Sequence, residues 1–151
     1  MLYTYNLMSI YKFKIVEQAL KYYGQSGIIG PKSNNSILSF FNKSGHLEIK
    51  DDDTPWCSAF INAVASDLNL PKTGLLNARS WLSIGKETKT PEMGDIVILW
   101  RESPTSWKGH VGIYIASNDK FIWILGGNQN NEVNTSKFDK STVLGYRDIT
   151  I

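Results

Sequence analysis

The hydrophobic periodicity of the chain changes near Pro91, and this change limits the folds that it can adopt. Before this point, apolar residues recur at helical spacing. The first such set is Ile15, Val16, Ala19, Leu20 and Tyr23. After it, apolar residues alternate with polar ones or form short runs of strand length. The sequence therefore predicts an α+β fold, in which N-terminal helices pack on an antiparallel sheet of four to six strands.

Turn and cap residues divide the two halves into elements. The first helix should stop at Gly24, and a short second helix over 37–41 should stop before Gly45. Thr54 is suited to the N-cap of a third helix, and Pro55 to its first position, so that helix is predicted over about 55–68. A short helix at 77–82 precedes Gly85. The predicted strands are 96–100, 110–116, 121–125 and 143–149.

Length, charge and cysteine content exclude several classes of protein. The 151 residues fit one domain, 1–151. The net charge is +2 without basic blocks, so no nucleic-acid partner is expected. A single cysteine excludes an internal disulfide and a cysteine-based zinc site, and we expect no metal or cofactor. No apolar stretch is long enough for membrane insertion. The segment Met1 to Lys14 lacks a basic start and is a poor signal peptide, so synthesis in the cytoplasm without such a signal is expected.

Cys57 is the candidate nucleophile. A helix that begins at Pro55 places it in the first turn, at about the third position. Unpaired backbone N–H groups and the positive end of the helix dipole gather there. Both favour the thiolate, and the same N–H groups can stabilise an oxyanion. The alternative is that Cys57 is only a small buried apolar residue, which is the common role of a lone cysteine.

His110 is the candidate base, because it begins a predicted strand whereas His46 lies in a polar loop. Gly112 shares its face of the strand and leaves space where a helix N-terminus could pack. An imidazole needs an acceptor that fixes its tautomer, and Asn128, just past the next strand, could supply one. Alternatively, His110 is a structural histidine and Asn128 only tolerates a left-handed turn.

Substrate contacts are predicted from sequence position alone. Residues near Cys57 and His110 in the chain are candidates for the walls of the cleft. They are Asp53, Trp56, Arg79, Ser80 and Trp107. Tryptophans belong to the core more often than to a binding surface, and the loop position of Trp107 beside His110 makes it the best exception.

Five motifs in a fixed order resemble the NlpC/P60 superfamily of papain-like hydrolases, close to its CHAP-like amidase branch. They are DDDTPWCSAF at 51–60, NARSWL at 77–82, PEMGDIVIL at 91–99, GHVGIYI at 109–115 and ILGGNQ at 124–129. A small subfamily with PWC, GHVG and GGNQ segments is the most similar. The likeness runs from about residue 12 to the C-terminus, so it implies a papain-like catalytic domain with its core over about 12–151.

The resemblance implies a set of roles and a substrate. Cys57 becomes the nucleophile, His110 the general base and acid, and Asn128 the residue that orients the imidazole. A common CHAP pattern has a glutamate two residues before that asparagine, where this chain has Gly126. The implied substrate is peptidoglycan, cut at an amide bond within the stem peptide or between peptide and sugar, and no metal is required.

Three functions remain open on the sequence. The first is a peptidoglycan amidase or endopeptidase acting on the cell wall of a host or target cell, as a phage lysin or a secreted antibacterial effector. A cognate immunity or inhibitor protein is then an expected partner. The second is a cysteine acyltransferase or deamidase on the same fold, which shares the thioester intermediate. The third is a wall-binding domain without catalysis.

Overall fold

The computed structural model describes residues 2–28, 33–50 and 55–151, with the backbone alone over residues 2–9. Helices occupy the first half: α1 is Leu2–Leu20, α2 is Asn35–Lys43, α3 is Cys57–Asp67, and a 3-10 helix spans Ala78–Ser83. Strands occupy the second half: β1 is Lys86–Thr88, β2 is Ile96–Trp100, β3 is Gly109–Ser117, β4 is Phe121–Gly126, β5 is Asn134–Asp139 and β6 is Val143–Asp148. A second 3-10 helix, Lys140–Thr142, precedes β6. The predicted α+β class is confirmed.

The six strands form one antiparallel sheet in the order β1-β6-β2-β3-β4-β5. All four predicted strands are present, and β4 lies between two neighbours as a strand apolar on both faces should. Sequence patterning missed β1 and β5. Strand β5 has the polar sequence Asn-Thr-Ser-Lys-Phe-Asp with alternate residues exposed, because it lies at the edge of the sheet and buries little.

The helices cover one face of the sheet and form the main core with it. Helix α3 is central, because it contacts α1, α2 and β3, and its residues Cys57 to Ala65 are all buried. The opposite face carries a smaller apolar cluster around Val97, Leu99, Ile122 and Ile124. No helix in the described part of the chain is long and apolar enough to cross a membrane.

Helix α3 begins two residues later than predicted. Trp56 occupies the N-cap position without a side-chain cap, and the first helical hydrogen bond runs from the Phe60 N–H to the Trp56 carbonyl at 3.0 Å. Thr54, the predicted N-cap, lies outside the described residues. Cys57 is therefore the first residue of the helix rather than its third, and its own N–H is among the four that helix geometry leaves unpaired.

A buried lysine ties α1 to the sheet. The Lys12 ammonium lies 3.1 Å from Asp95, 3.2 Å from Asp148 at the end of β6, and 3.2 Å from the exposed Glu92. Asp95 also accepts a hydrogen bond from the Glu92 N–H at 2.7 Å, which shapes the turn before β2. Asp95 therefore has a structural part in the turn, as its position after Gly94 indicates.

Candidate active site

The Cys57 sulfur lies where the N-terminus of α3 meets the start of β3. It accepts a hydrogen bond from the Val111 backbone N–H, and the N–H groups of Ser58 and of Cys57 itself also act to lower its pKa. The side chain is 8% exposed. The first turn of a helix and the first residues of a strand together surround the thiol with backbone donors, which is the environment expected for a nucleophile.

Burial nevertheless governs the protonation of this thiol. Loss of solvent raises the pKa of Cys57 above its ordinary 9.0, although the Val111 N–H, the positive charge of Arg101 and the first-turn N–H groups act in the opposite direction. The first-turn N–H groups act in the predicted direction, but burial outweighs them in the protein without substrate. Cys57 rests as a thiol and needs a base to remove its proton.

The His110 ring is fully enclosed and held in one orientation. Its Nε2 lies 2.9 Å from the Gln129 Oε1, and its ring stacks on Phe138 with centroids 5.2 Å apart. The Gln129 amide nitrogen donates to the carbonyls of Ile124 and Asn134 and to the Asn134 side-chain oxygen, at 2.8 to 3.0 Å. Since three acceptors surround that nitrogen, the Gln129 oxygen must face the ring and Nε2 must carry the proton.

The second ring nitrogen is the one available for chemistry. Nδ1 of His110 is buried and has no hydrogen-bond partner in the described part of the chain. Burial lowers the pKa of His110 from 6.5 to about 4, against the effect of the hydrogen bond that Nε2–H donates to Gln129, and the charge of Arg101 lowers it further. At neutral pH the ring is therefore uncharged, with the lone pair on Nδ1 free to accept a proton.

The residue that holds the imidazole is Gln129, not the predicted Asn128. Asn128 adopts a left-handed conformation with φ 56°, and no described hydrogen bond joins it to His110. A Cβ atom on Gly126 would lie 2.5 Å from the Gln129 Oε1 and 3.5 Å from the His110 Nε2. The Gln129 side chain thus fills the place where a side chain at 126 would reach the ring, which gives a physical reason for the glycine.

The route by which α3 approaches β3 also differs from the prediction. Gly112 was expected to leave space for the helix N-terminus, but the Ile124 side chain occupies the position that a Cβ at Gly112 would take. The helix instead meets the strand through the hydrogen bond from Val111 to Cys57. The thiol and the imidazole therefore meet the strand at adjacent residues, and the charge of Arg101 reaches both of them.

A pocket of about 280 Å³ opens over Cys57. It is at the small end for ligand sites, so it can hold only part of a polymeric substrate. The described residues that line it are Pro55, Cys57, Leu76, Asn77, Ala78, Arg101, Trp107, Lys108 and Gly109. Apolar and backbone surface predominates among them, with two cationic side chains at the wall.

Of the five residues predicted to contact substrate, only Trp107 lines the described pocket, with 74% of its surface exposed. Trp56 is completely buried and packs against Phe40. Arg79 donates three hydrogen bonds to carbonyls of the 101–109 loop, and the Ser80 hydroxyl bonds to Thr73, so both side chains have partners within the protein. Asp53 lies outside the described residues.

Sequence reasoning missed two residues at this site. Gln129 is in the GGNQ segment that the motif reading singled out, but the left-handed turn at Asn128 that brings it to the ring is not visible in the sequence. Arg101 directly follows β2, and the pairing of Trp100 with Gly109 places it opposite the start of β3. The hairpin implied by the two neighbouring strands was the available signal for Arg101.

The fold and the site define a class of protein. A buried thiol on the first residue of a central helix, bonded to the strand residue that follows an oriented histidine on an antiparallel sheet, is the arrangement of papain-like cysteine hydrolases. A family model described as CHAP domain matches residues 49–128, which is more than half of the chain. The chain belongs to the CHAP domain family, and this membership points generally to amidase or peptidase activity on peptidoglycan. No curated protein matches the chain.

Proposed function

We propose that the protein is a cysteine amidase or endopeptidase that cuts an amide bond of peptidoglycan, with Cys57 as nucleophile, His110 as base and Gln129 as the residue that orients His110. One observation carries the proposal. The Cys57 sulfur is bound by the backbone N–H of the residue next to His110; the His110 ring is held through Nε2, and its Nδ1 has no partner among the described residues. Membership in the CHAP family supports the substrate class.

The first half of the reaction forms a thioester. The His110 Nδ1 takes the proton of the Cys57 thiol as the sulfur attacks the carbonyl carbon of the bound amide. A carbon–sulfur bond forms, and the carbonyl oxygen becomes an oxyanion near the unpaired N–H groups at the start of α3. The C–N bond then breaks, and the leaving amine receives the proton from Nδ1.

The second half regenerates the enzyme. Water enters the site vacated by the amine, and His110 Nδ1 takes a proton from it as its oxygen attacks the thioester carbon. The carbon–sulfur bond breaks, the product carboxylic acid leaves, and the proton returns to the Cys57 sulfur. Gln129 keeps Nε2 protonated throughout, so the same nitrogen serves as base and acid in both halves.

Digestion of purified peptidoglycan tests the proposal. Wild-type protein should release muropeptides with one new amine and one new carboxylate, and Cys57→Ala should release none while keeping the wild-type thermal unfolding curve. Mass analysis of the fragments also identifies the cut bond. Absence of new fragments with wild-type protein would refute the proposal, and predominant transfer to an added competing amine would favour the acyltransferase alternative.

Within this proposal the enzyme serves as a phage lysin or as a secreted antibacterial effector that acts in the periplasm of a host or target cell. Expression in a Gram-negative cell with and without an added export signal tests the site of action. Exported wild-type protein should lyse the cell, whereas unexported protein and exported Cys57→Ala should not. Lysis by the exported Cys57→Ala variant would contradict a wall-cleaving role.

A further inference from the structure

Arg101 and Lys108 line the pocket over Cys57, and Arg79 bonds to the loop that carries Lys108. Two of these three cationic side chains are already engaged. The Arg79 guanidinium donates to the carbonyls of Ser103, Pro104 and Lys108 at 2.8 to 3.0 Å. The Lys108 ammonium lies 2.5 Å from Glu102. Arg79 therefore holds the 101–109 loop, and the Lys108 charge is paired with a carboxylate.

Arg101 differs from both. It is exposed and lines the pocket beside Cys57, and its side chain has no hydrogen bond or ion pair with any described residue. The described pocket wall contains no carboxylate. A guanidinium that no described residue pairs, at the mouth of a mostly apolar pocket, matches an anion that arrives with the substrate, since it can donate two parallel hydrogen bonds to a carboxylate.

We propose that Arg101 binds a carboxylate of the substrate, so that the enzyme prefers amide bonds flanked by a free carboxylate over bonds whose neighbouring carboxylate is amidated. The proposal rests on the proposed function and narrows its substrate class to unamidated stem peptides. Trp107, exposed on the same wall, offers an apolar surface beside this charge. The preference follows because a primary amide has no negative charge and only one acceptor oxygen, so it cannot form the bidentate ion pair that a carboxylate forms with the guanidinium.

Matched peptides test the preference directly. Once muropeptide masses identify the cut bond, two stem peptides are compared in which the flanking carboxylate is free or converted to a primary amide. Wild-type kcat/KM should fall about ten- to a hundredfold on amidation. Arg101→Met should cut both peptides at a similar low rate, and Arg101→Lys should keep part of the preference because it keeps the charge.

The outcomes separate this inference from the proposed function. If wild-type protein cuts both peptides equally well, or if Arg101→Met keeps the full preference, the carboxylate site is refuted while the hydrolase proposal stands. If wild-type protein cuts neither peptide and no muropeptide, the hydrolase proposal fails. The anion site is then judged by a second measurement that requires no catalysis.

Alkylation of Cys57 provides that measurement. Iodoacetate is an anion and iodoacetamide is neutral, so the ratio of the iodoacetate rate to the iodoacetamide rate reports how strongly the pocket attracts anions. Both reactions depend on the same fraction of thiolate, so that fraction cancels in the ratio. Arg101→Met should lower this ratio severalfold relative to wild type, and Arg101→Lys should largely preserve it. An unchanged ratio in Arg101→Met would overturn the proposal.

Discussion

The two histidines of the chain should change the pH dependence of folding in opposite directions. Burial lowers the pKa of His110 from 6.5 to about 4. The Glu48 carboxylate and the Gly74 carbonyl, which bond the two ring nitrogens of His46 at 2.8 and 2.7 Å, raise the pKa of His46 above 6.5. One histidine therefore resists protonation in the folded state, and the other favours it.

The sign of each effect follows from proton linkage. Between pH 6.5 and about 4, the unfolded chain binds a proton at His110 that the folded protein does not, so the free energy of unfolding falls as the pH falls. A pKa decrease of 6.5 minus 4, at about 1.4 kcal/mol per pKa unit, corresponds to about 3 kcal/mol across this window. The stabilisation from His46 is fully present below pH 6.5 and is lost as the pH rises through its raised pKa.

Urea unfolding from pH 4 to 8 measures both effects in wild type, His110→Gln and His46→Gln. Carboxylates titrate in the same range, so the difference between wild type and each variant is the relevant quantity. Wild type should lose about 3 kcal/mol relative to His110→Gln between pH 6.5 and 4. Parallel curves over this window would refute the reasoning. Titration of the imidazole nitrogens by NMR gives the His110 pKa and its Nε2–H tautomer directly, even if His110→Gln folds weakly.

Two further predictions concern the orientation of the base and the anchoring of α1. Gln129→Ala should lower kcat about ten- to a hundredfold, because an imidazole without a fixed orientation is a poorer general base. Asn128→Ala should have nearly wild-type activity in the same peptidoglycan assay. A larger loss in Asn128→Ala than in Gln129→Ala would indicate that Asn128 orients the imidazole. Gly126→Glu added to Gln129→Ala should recover part of the activity, since the space beside the His110 Nε2 is then open. Lys12→Met should lower the free energy of unfolding at pH 7 by about 3 kcal/mol, because it leaves buried carboxylates unpaired; urea denaturation that shows no loss would contradict a stabilising role for this ion-pair cluster.

Local sequence signals predicted most of the fold. Apolar runs located β2 and β4, and Gly24 and Gly45 marked turns in which both residues adopt positive φ. Strand β5 was not predicted because an edge strand with alternating exposure has no apolar run to distinguish it from a loop. The start of α3 was predicted two residues too early, since Thr54-Pro55 is a favourable helix start by sequence. In the structure the buried Trp56 is the N-cap instead.

The candidate site also has residues that the sequence predicted and a residue that it did not. Cys57 and His110 were selected from the sequence because the start of a helix and the start of a strand can both be predicted from neighbouring residues. The partner of the imidazole depends on a side chain that folds back across a left-handed turn into the space left by Gly126. Such a contact depends on three-dimensional packing, so the sequence indicated Asn128, one residue before Gln129.

The sequence by itself determined which elements form and which two side chains carry the proposed chemistry, because periodicity, caps and residue types act over a few residues. Only the tertiary structure decided the protonation of the pair, the residue that holds the His110 ring, and the cation at the pocket that no described residue pairs. Those three properties depend on burial and on contacts between distant segments. The Arg101 charge at the Cys57 pocket and the Gln129 oxygen on His110 both arise from chain segments that meet only in the folded protein.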